Sequence, residues 1–120
     1  MDLQDLRLRL REFAAARDWD QFHSPKNLAM ALGVEAAELM EHFQWLTEAD
    51  SRELTEKTRR EVAEEIADVQ IYLVRLADRL GIDILAATEA KMAVNEVKYP
   101  AEKVRGSARK HTTYITEPAE

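Results

Sequence analysis

Two acidic pairs hold the clearest chemical potential in this chain. Glu35 and Glu38 stand three residues apart, and so do Glu65 and Asp68. Both pairs lie in stretches rich in Ala, Leu and Glu, which are strong helix formers. A helix turns once in about 3.6 residues, so positions i and i+3 share a face. Two such faces set opposite each other gather four oxygen donors around one small space. Mg²⁺ takes hard oxygen ligands of this kind and commonly works on bound phosphates. The pattern points to metal-assisted chemistry on a phosphorylated molecule. A plainer reading stands beside it, because Glu usually lies on a solvated helix face. Glu41, Glu53, Glu56, Glu61 and Glu64 fit that plainer reading. The favoured four differ in context. Glu35 borders an apolar stripe, where an unpaired carboxylate is costly. Like charges at i and i+3 repel unless a cation lies between them. Glu65 and Asp68 continue into Tyr72, an aromatic that could reach a ligand. On the residues alone both readings stay open.

The elements that would position these groups read as about four helices, an all-α bundle. Leu3, Leu6, Leu10 and Phe13 recur at steps of three and four and predict a helix over 2–17. Ser24-Pro25 has the form of an N-cap followed by proline at the first helical position. The second helix then runs to about Phe43, with Leu28, Leu32, Leu39 and Phe43 as its core stripe. Residues 45–50 break the pattern, and Ser51 could cap a short turn. The longest helix spans 55–80, with Val62, Ile66, Val69, Leu73, Leu76 and Leu80 along one face. Glu61, Glu65, Asp68 and Tyr72 form the neighbouring stripe. Gly81 suits the end of this helix. Asp83 can cap the last one, which Tyr99-Pro100 stops. Residues 1–100 therefore form one helical domain. Residues 101–120 lose periodicity and carry Lys103, Arg105, Arg109 and Lys110, a basic tail expected to be mobile.

Composition narrows the function classes. The 120 residues leave little room for a second domain. Acidic residues number 23 and basic ones 17, giving a net charge of −6, which disfavours nucleic acid or an anionic membrane as partner. There is no cysteine, so disulfides, zinc–thiolate sites and Cys nucleophiles are excluded. The start, MDLQDLRLRLREF, lacks the apolar core of a signal peptide, and no apolar run is long enough to span a membrane. The expected location is cytoplasmic. His42 follows Glu38 by four residues, not the three of a ferritin-like di-iron motif. Walker, G-x-G-x-x-G and G-x-S-x-G motifs are absent, so a phosphate must be held by metal and basic side chains.

The stretches RDWDQFHSPKNLAMALGVEAAELMEHFQW and EEIADVQIYLVRLADRLGIDILAATEAKMAVNEVKYP resemble MazG-like nucleoside triphosphate pyrophosphohydrolases, most closely the dCTP pyrophosphatase branch. The likeness runs from the first helix to about His111. It rests on an ordered series: E-x-x-E, F-Q-W, E-x-x-D-x-x-x-Y, then K-M-x-x-N-x-x-x-Y-P. It implies an all-helical enzyme that splits an NTP or dNTP into monophosphate and pyrophosphate, with dCTP or modified dCTP as substrate. It implies Mg²⁺ held by Glu35, Glu38, Glu65 and Asp68, with Glu38 as general base. A homodimer or homotetramer and a role in nucleotide-pool cleansing follow from the same likeness.

The resemblance also assigns substrate contacts. Trp19, Trp45 and Tyr72 match positions lining the base and sugar pocket, although tryptophan at a helix junction is more often a core plug. His23 and Asn27 are candidates beside them. Asn27, near a helix start, could equally support the cap. Lys91, Asn95 and Lys98 share one face of the last helix, which on residues alone is a solvated polar stripe. By resemblance the two lysines meet phosphate and Asn95 meets the nucleotide. Tyr99 closes the site or packs beside Pro100. The chain departs from the family in three places. Val34 replaces the first Glu of E-E-x-x-E, Leu10 stands where mammalian dCTP pyrophosphatases carry histidine, and Lys98 replaces arginine. Base preference is thus less well specified than reaction type. The rival readings are a non-catalytic helical oligomeric interaction module and a sibling enzyme acting on dUTP or phosphoribosyl-ATP.

Overall fold

The computed structural model describes residues 1–108, and all regular structure among them is helical. The helices are α1 (Leu3–Ala16), α2 (Pro25–Glu41), α3 (Glu48–Arg52), α4 (Glu56–Leu80), α5 (Ile84–Lys98) and α6 (Ala101–Val104), with a 3₁₀ turn at Asp20–Phe22. The four long helices are those the apolar spacing predicts. The shorter pieces are additions. α3 is capped by Thr47 rather than introduced by Ser51, and α6 occupies the first residues of the expected tail. Arg109, Lys110 and His111 lie outside the described residues. No described helix is long and apolar enough to cross a membrane.

Local chemistry explains the boundaries. Asp2 and Asp5 form a reciprocal capping box at the start of α1. Ser24 Oγ accepts from the Asn27 amide, with Pro25 at N1 of α2. Thr55 and Asp83 cap α4 and α5 in the same manner. Gly81, at φ 68°, takes the left-handed conformation that ends α4.

The chain divides into two compact units, Met1–Ile82 and the part from Asp83 onward. Within the first, α4 packs against α2 and α1. Its buried apolar residues are Ala14, Leu28, Val62, Val74 and Ala77. The α4 stripe is only half covered. Val62 is buried, but Ile66, Leu73 and Leu80 are 54%, 39% and 51% exposed. The reason is geometric: Ile66, Leu73 and Leu80 recur every seven residues and so share one face of α4, while Val62, Val74 and Ala77 are the buried ones. In the second unit, α5 leaves Leu85, Met92 and Val97 exposed.

One polar knot ties α1 to α4. Asp78 accepts from Arg11 Nε at 2.7 Å and from Arg7 Nη1 at 3.2 Å, and its side chain is 4% exposed. The Arg11 hydrogen bond holds the Asp78 carboxyl below its ordinary 3.8 against the opposing effect of burial. Asp78→Ala removes the acceptor these arginines share, and because both are partly exposed and can turn to water, the loss should be about 1 kcal/mol at neutral pH, read by urea denaturation. A depressed folded pKa adds stability above the ordinary value and loses it as pH falls through the folded one. The deficit should therefore shrink below pH 3.8.

Candidate functional site

The packing of α2 on α4 brings the acidic stripes together. Glu35, Glu38 and Glu65 each offer a carboxylate oxygen, and these atoms lie within 4.8 Å of one another. Asp68 lies one turn beyond Glu65 on α4. It lines a cavity with Glu35, and its charge helps raise the pKa of both Glu35 and Glu65.

The electrostatics are unfavourable without a counter-charge. Desolvation, reinforced by the hydrogen bond and charge of Glu38, pushes Glu35 up from its ordinary 4.5 to about 7. Desolvation and the Glu38 charge push Glu65 up as well. Oε2 of Glu35 and Oε2 of Glu65 are buried with no hydrogen-bond partner. Buried polar atoms are rarely left so. Crowded, partnerless carboxylate oxygens fit a divalent hard cation in donor type and charge. His42 stands nearby, its ring nitrogens 3.7 Å from Glu61 and 3.9 Å from Glu65.

Beside the carboxylates is a cavity of about 180 Å³. Helix α1 supplies Leu10, Phe13 and Ala14, and the loop after it supplies Trp19 and His23. Helix α4 supplies Ile71, Tyr72 and Arg75 alongside Asp68. The aromatic wall is ordered edge to face. The Trp19 ring centroid is 5.7 Å from Phe13 at 70° and 6.3 Å from His23 at 63°. An apolar slot next to an acidic cluster suits a flat heteroaromatic group joined to an anionic, metal-bound tail.

The loop is firmly anchored. Asp18 has φ 55°, tolerated by Asp, and Gln21 donates to its side chain and carbonyl. Asn27 Nδ2 donates to the Phe22 carbonyl, and Arg79 Nε donates to the His23 carbonyl. Asn27 thus ties loop to helix and is not among the residues lining the cavity. Trp45 is 86% exposed and also lies outside that lining. Lys91, Asn95 and Lys98 lie along α5 in the second unit, and Tyr99 forms its C-cap.

Comparison with known proteins places this arrangement. The MazG-like family matches residues 30–113, which include both acidic pairs. The chain belongs to the MazG-like family. It is 46% identical over 112 residues to dCTP pyrophosphatase 1 of Homo sapiens, and 47% identical to that of Mus musculus. In both cases the match covers 92% of this chain and 66% of the relative, so the chain spans just under two thirds of their length. A crystal structure of a pyrophosphatase from Archaeoglobus fulgidus superposes with a TM-score of 0.77 at 46% identity, covering 81% of this chain and 91% of that one.

Two features of this MazG-like chain escaped the reading of its residues. Arg75 is 4% exposed and lines the cavity, yet an arginine between apolar residues reads as solvated. Its signal was present: Glu65, Asp68, Tyr72 and Arg75 continue one stripe at steps of three, four and three. His42 had a similar signal, four residues beyond Glu38 on the same helical face.

Proposed function

We propose that this chain hydrolyses a nucleoside triphosphate at the α–β phosphoanhydride, with dCTP or a modified dCTP as preferred substrate and Mg²⁺ as cofactor. The carrying observation is the convergence of Glu35, Glu38 and Glu65 within 4.8 Å, with two buried oxygens lacking partners, beside an aromatic cavity. The names of the relatives, dCTP pyrophosphatase 1 and a pyrophosphatase, support the same reading.

Glu35, Glu38, Glu65 and Asp68 would hold the cation. When bound there, it supplies neutralisation of phosphate charge and acidification of a water. The rest falls to the chain's own residues. Trp19 and Tyr72 sandwich or edge the base, and Leu10, Phe13 and Ile71 exclude solvent from it. Glu38 takes the proton from the attacking water, whose oxygen bonds to phosphorus as the bridging P–O bond breaks. The products are the monophosphate and pyrophosphate. Lys91, Lys98 and Asn95 are assigned to the phosphate and nucleotide by motif position.

The exposed apolar faces support self-association as a homodimer or homotetramer. A second copy would cover Ile66, Leu73 and Leu80, and it is the route by which Trp45 could join a substrate site. Leu73→Glu should then shift the sedimenting species toward monomer and lower kcat/KM; an unchanged sedimentation coefficient argues against this face. The overall acidity of the chain disfavours nucleic acid as a partner, and nucleotide-pool cleansing in the cytoplasm is the matching role.

The deciding assay incubates purified protein with a panel of dNTPs, NTPs and phosphoribosyl-ATP plus Mg²⁺ and measures pyrophosphate. dCTP-type substrates should lead. If dUTP or phosphoribosyl-ATP leads, the substrate assignment moves to a sibling enzyme. If nothing releases pyrophosphate, the enzymatic reading fails and an interaction module takes its place.

A further inference from the structure

The buried guanidinium of Arg75 has no place in the scheme above. Its Nε donates to Nδ1 of His23 at 3.1 Å, its Nη2 donates to Oδ1 of Asp20, and its Nη1 faces Asp78 Oδ2 at 3.7 Å. All three nitrogens are turned to protein partners, so Arg75 is poorly disposed to clamp phosphate. The contact with His23 has a chemical consequence. An imidazole that accepts at Nδ1 must carry its hydrogen on Nε2 when neutral. Protonating Nδ1 would set two N–H groups against each other.

We infer that Arg75 is a positioning residue that locks His23 in its Nε2–H form, so that His23 offers the base a donor and no acceptor. A base edge that presents lone pairs is accepted, and one that presents an N–H is refused. Among pyrimidines, cytosine places its N3 and O2 acceptors side by side, whereas thymine and uracil carry N3–H beside O2. Set against ring position 3, the Nε2–H pairs with the cytosine N3 lone pair and opposes the N3–H of thymine or uracil, and in that register the device favours cytosine. The proposal rests on the assignment of the cavity to the base.

The surroundings favour the neutral ring. Arg75 faces it from α4 and Arg79 binds its carbonyl from the same helix, while Asp20 is the opposing charge and Trp19 meets the ring edge to face. Desolvation and then the Arg75 charge lower the His23 pKa, with Asp20 working against them. A purely structural staple from Arg75 to the loop would need neither a defined tautomer nor an effect on base choice.

The test uses the full chain. Nitrogen-15 NMR of the histidine rings, with His23→Gln to assign the signals, should report Nε2–H for His23 in the wild type. Arg75→Lys keeps the charge but loses the fork, and should give a tautomer mixture. The ratio of kcat/KM for dCTP over dTTP should fall about tenfold, mainly through KM, because a donor facing a donor loses its hydrogen bond on binding. Asp20→Asn, at a side chain 48% exposed, loosens the same anchor and should move both readouts in the same direction if Arg75→Lys does not fold. A fixed tautomer in these variants, or a tautomer mixture with unchanged base selectivity, overturns the inference alone. A wild type that hydrolyses no nucleotide overturns the underlying assignment and the inference with it.

Discussion

Glu38→Gln and Asp68→Asn should each cut pyrophosphate release about a thousandfold or more, with helical content and thermal midpoint kept or raised. Ordinarily a change at a packed polar site costs stability. Here the expectation is reversed, because the carboxylates repel one another and two of their oxygens are buried without partners. An amide of nearly the same shape removes one negative charge from the crowd and relieves Glu35 and Glu65, both raised partly by Glu38 and Asp68. It also removes a hard anionic ligand, and in Glu38 the group assigned to take the water's proton. Glu41→Gln is the matched control, since Glu41 ends α2 and is exposed to solvent. It should change turnover less than twofold, on the order of other surface substitutions. Pyrophosphate release and circular dichroism on the same samples decide the matter. Near wild-type turnover in Glu38→Gln or Asp68→Asn removes the site assignment, and a collapsed fold would show these carboxylates to be structural.

Much of this arrangement was written in local signals. Ser24-Pro25, Gly81, Asp83 and Tyr99-Pro100 mark helix ends because caps act within a few residues, so they can be read without knowing the fold. The acidic stripes were legible for the same reason: three-residue spacing fixes a shared face whatever surrounds it. Their convergence was not, because it depends on how α2 lies on α4. The loop from Asp18 to His23 has no periodicity to read, so its anchoring by Arg75, Arg79 and Asn27 emerges only in three dimensions. Arg75 itself illustrates the limit. Residue type says solvent, stripe position says site, and only the presence of Asp20, His23 and Asp78 around it resolves the conflict. The apolar face of α4 failed in the opposite direction. Ile66, Leu73 and Leu80 have the spacing of a core, yet burial needs a second surface, and the first unit does not provide it.

Metal binding should invert the response of stability to pH. In the metal-free protein, Glu35 ionises near 7 when folded and at its ordinary 4.5 when unfolded. Below 4.5 both states hold the proton and the group contributes nothing to the difference. Between 4.5 and 7 the folded state retains a proton that the unfolded state has lost, so stability falls as pH rises. Glu65 acts in the same direction. Asp78 acts oppositely only near and below 3.8, outside this window. His23, held below its ordinary 6.5, acts oppositely within it, one group against the two raised carboxyls. The thermal midpoint of the metal-free chain should therefore drop from pH 5 towards pH 8, and Glu35→Gln should flatten the slope. On the proposed assignment, millimolar Mg²⁺ would bind the native arrangement and compete with protons for the same oxygens. Its stabilising shift should be larger at pH 8 than at pH 5, and chelation should remove both the shift and all turnover. Differential scanning calorimetry across this range, with and without Mg²⁺, reads every part of the expectation. A midpoint indifferent to both pH and Mg²⁺ would mean that the crowded carboxylates neither hold extra protons nor await a cation, leaving the proposed hydrolysis without its charge-neutralising centre.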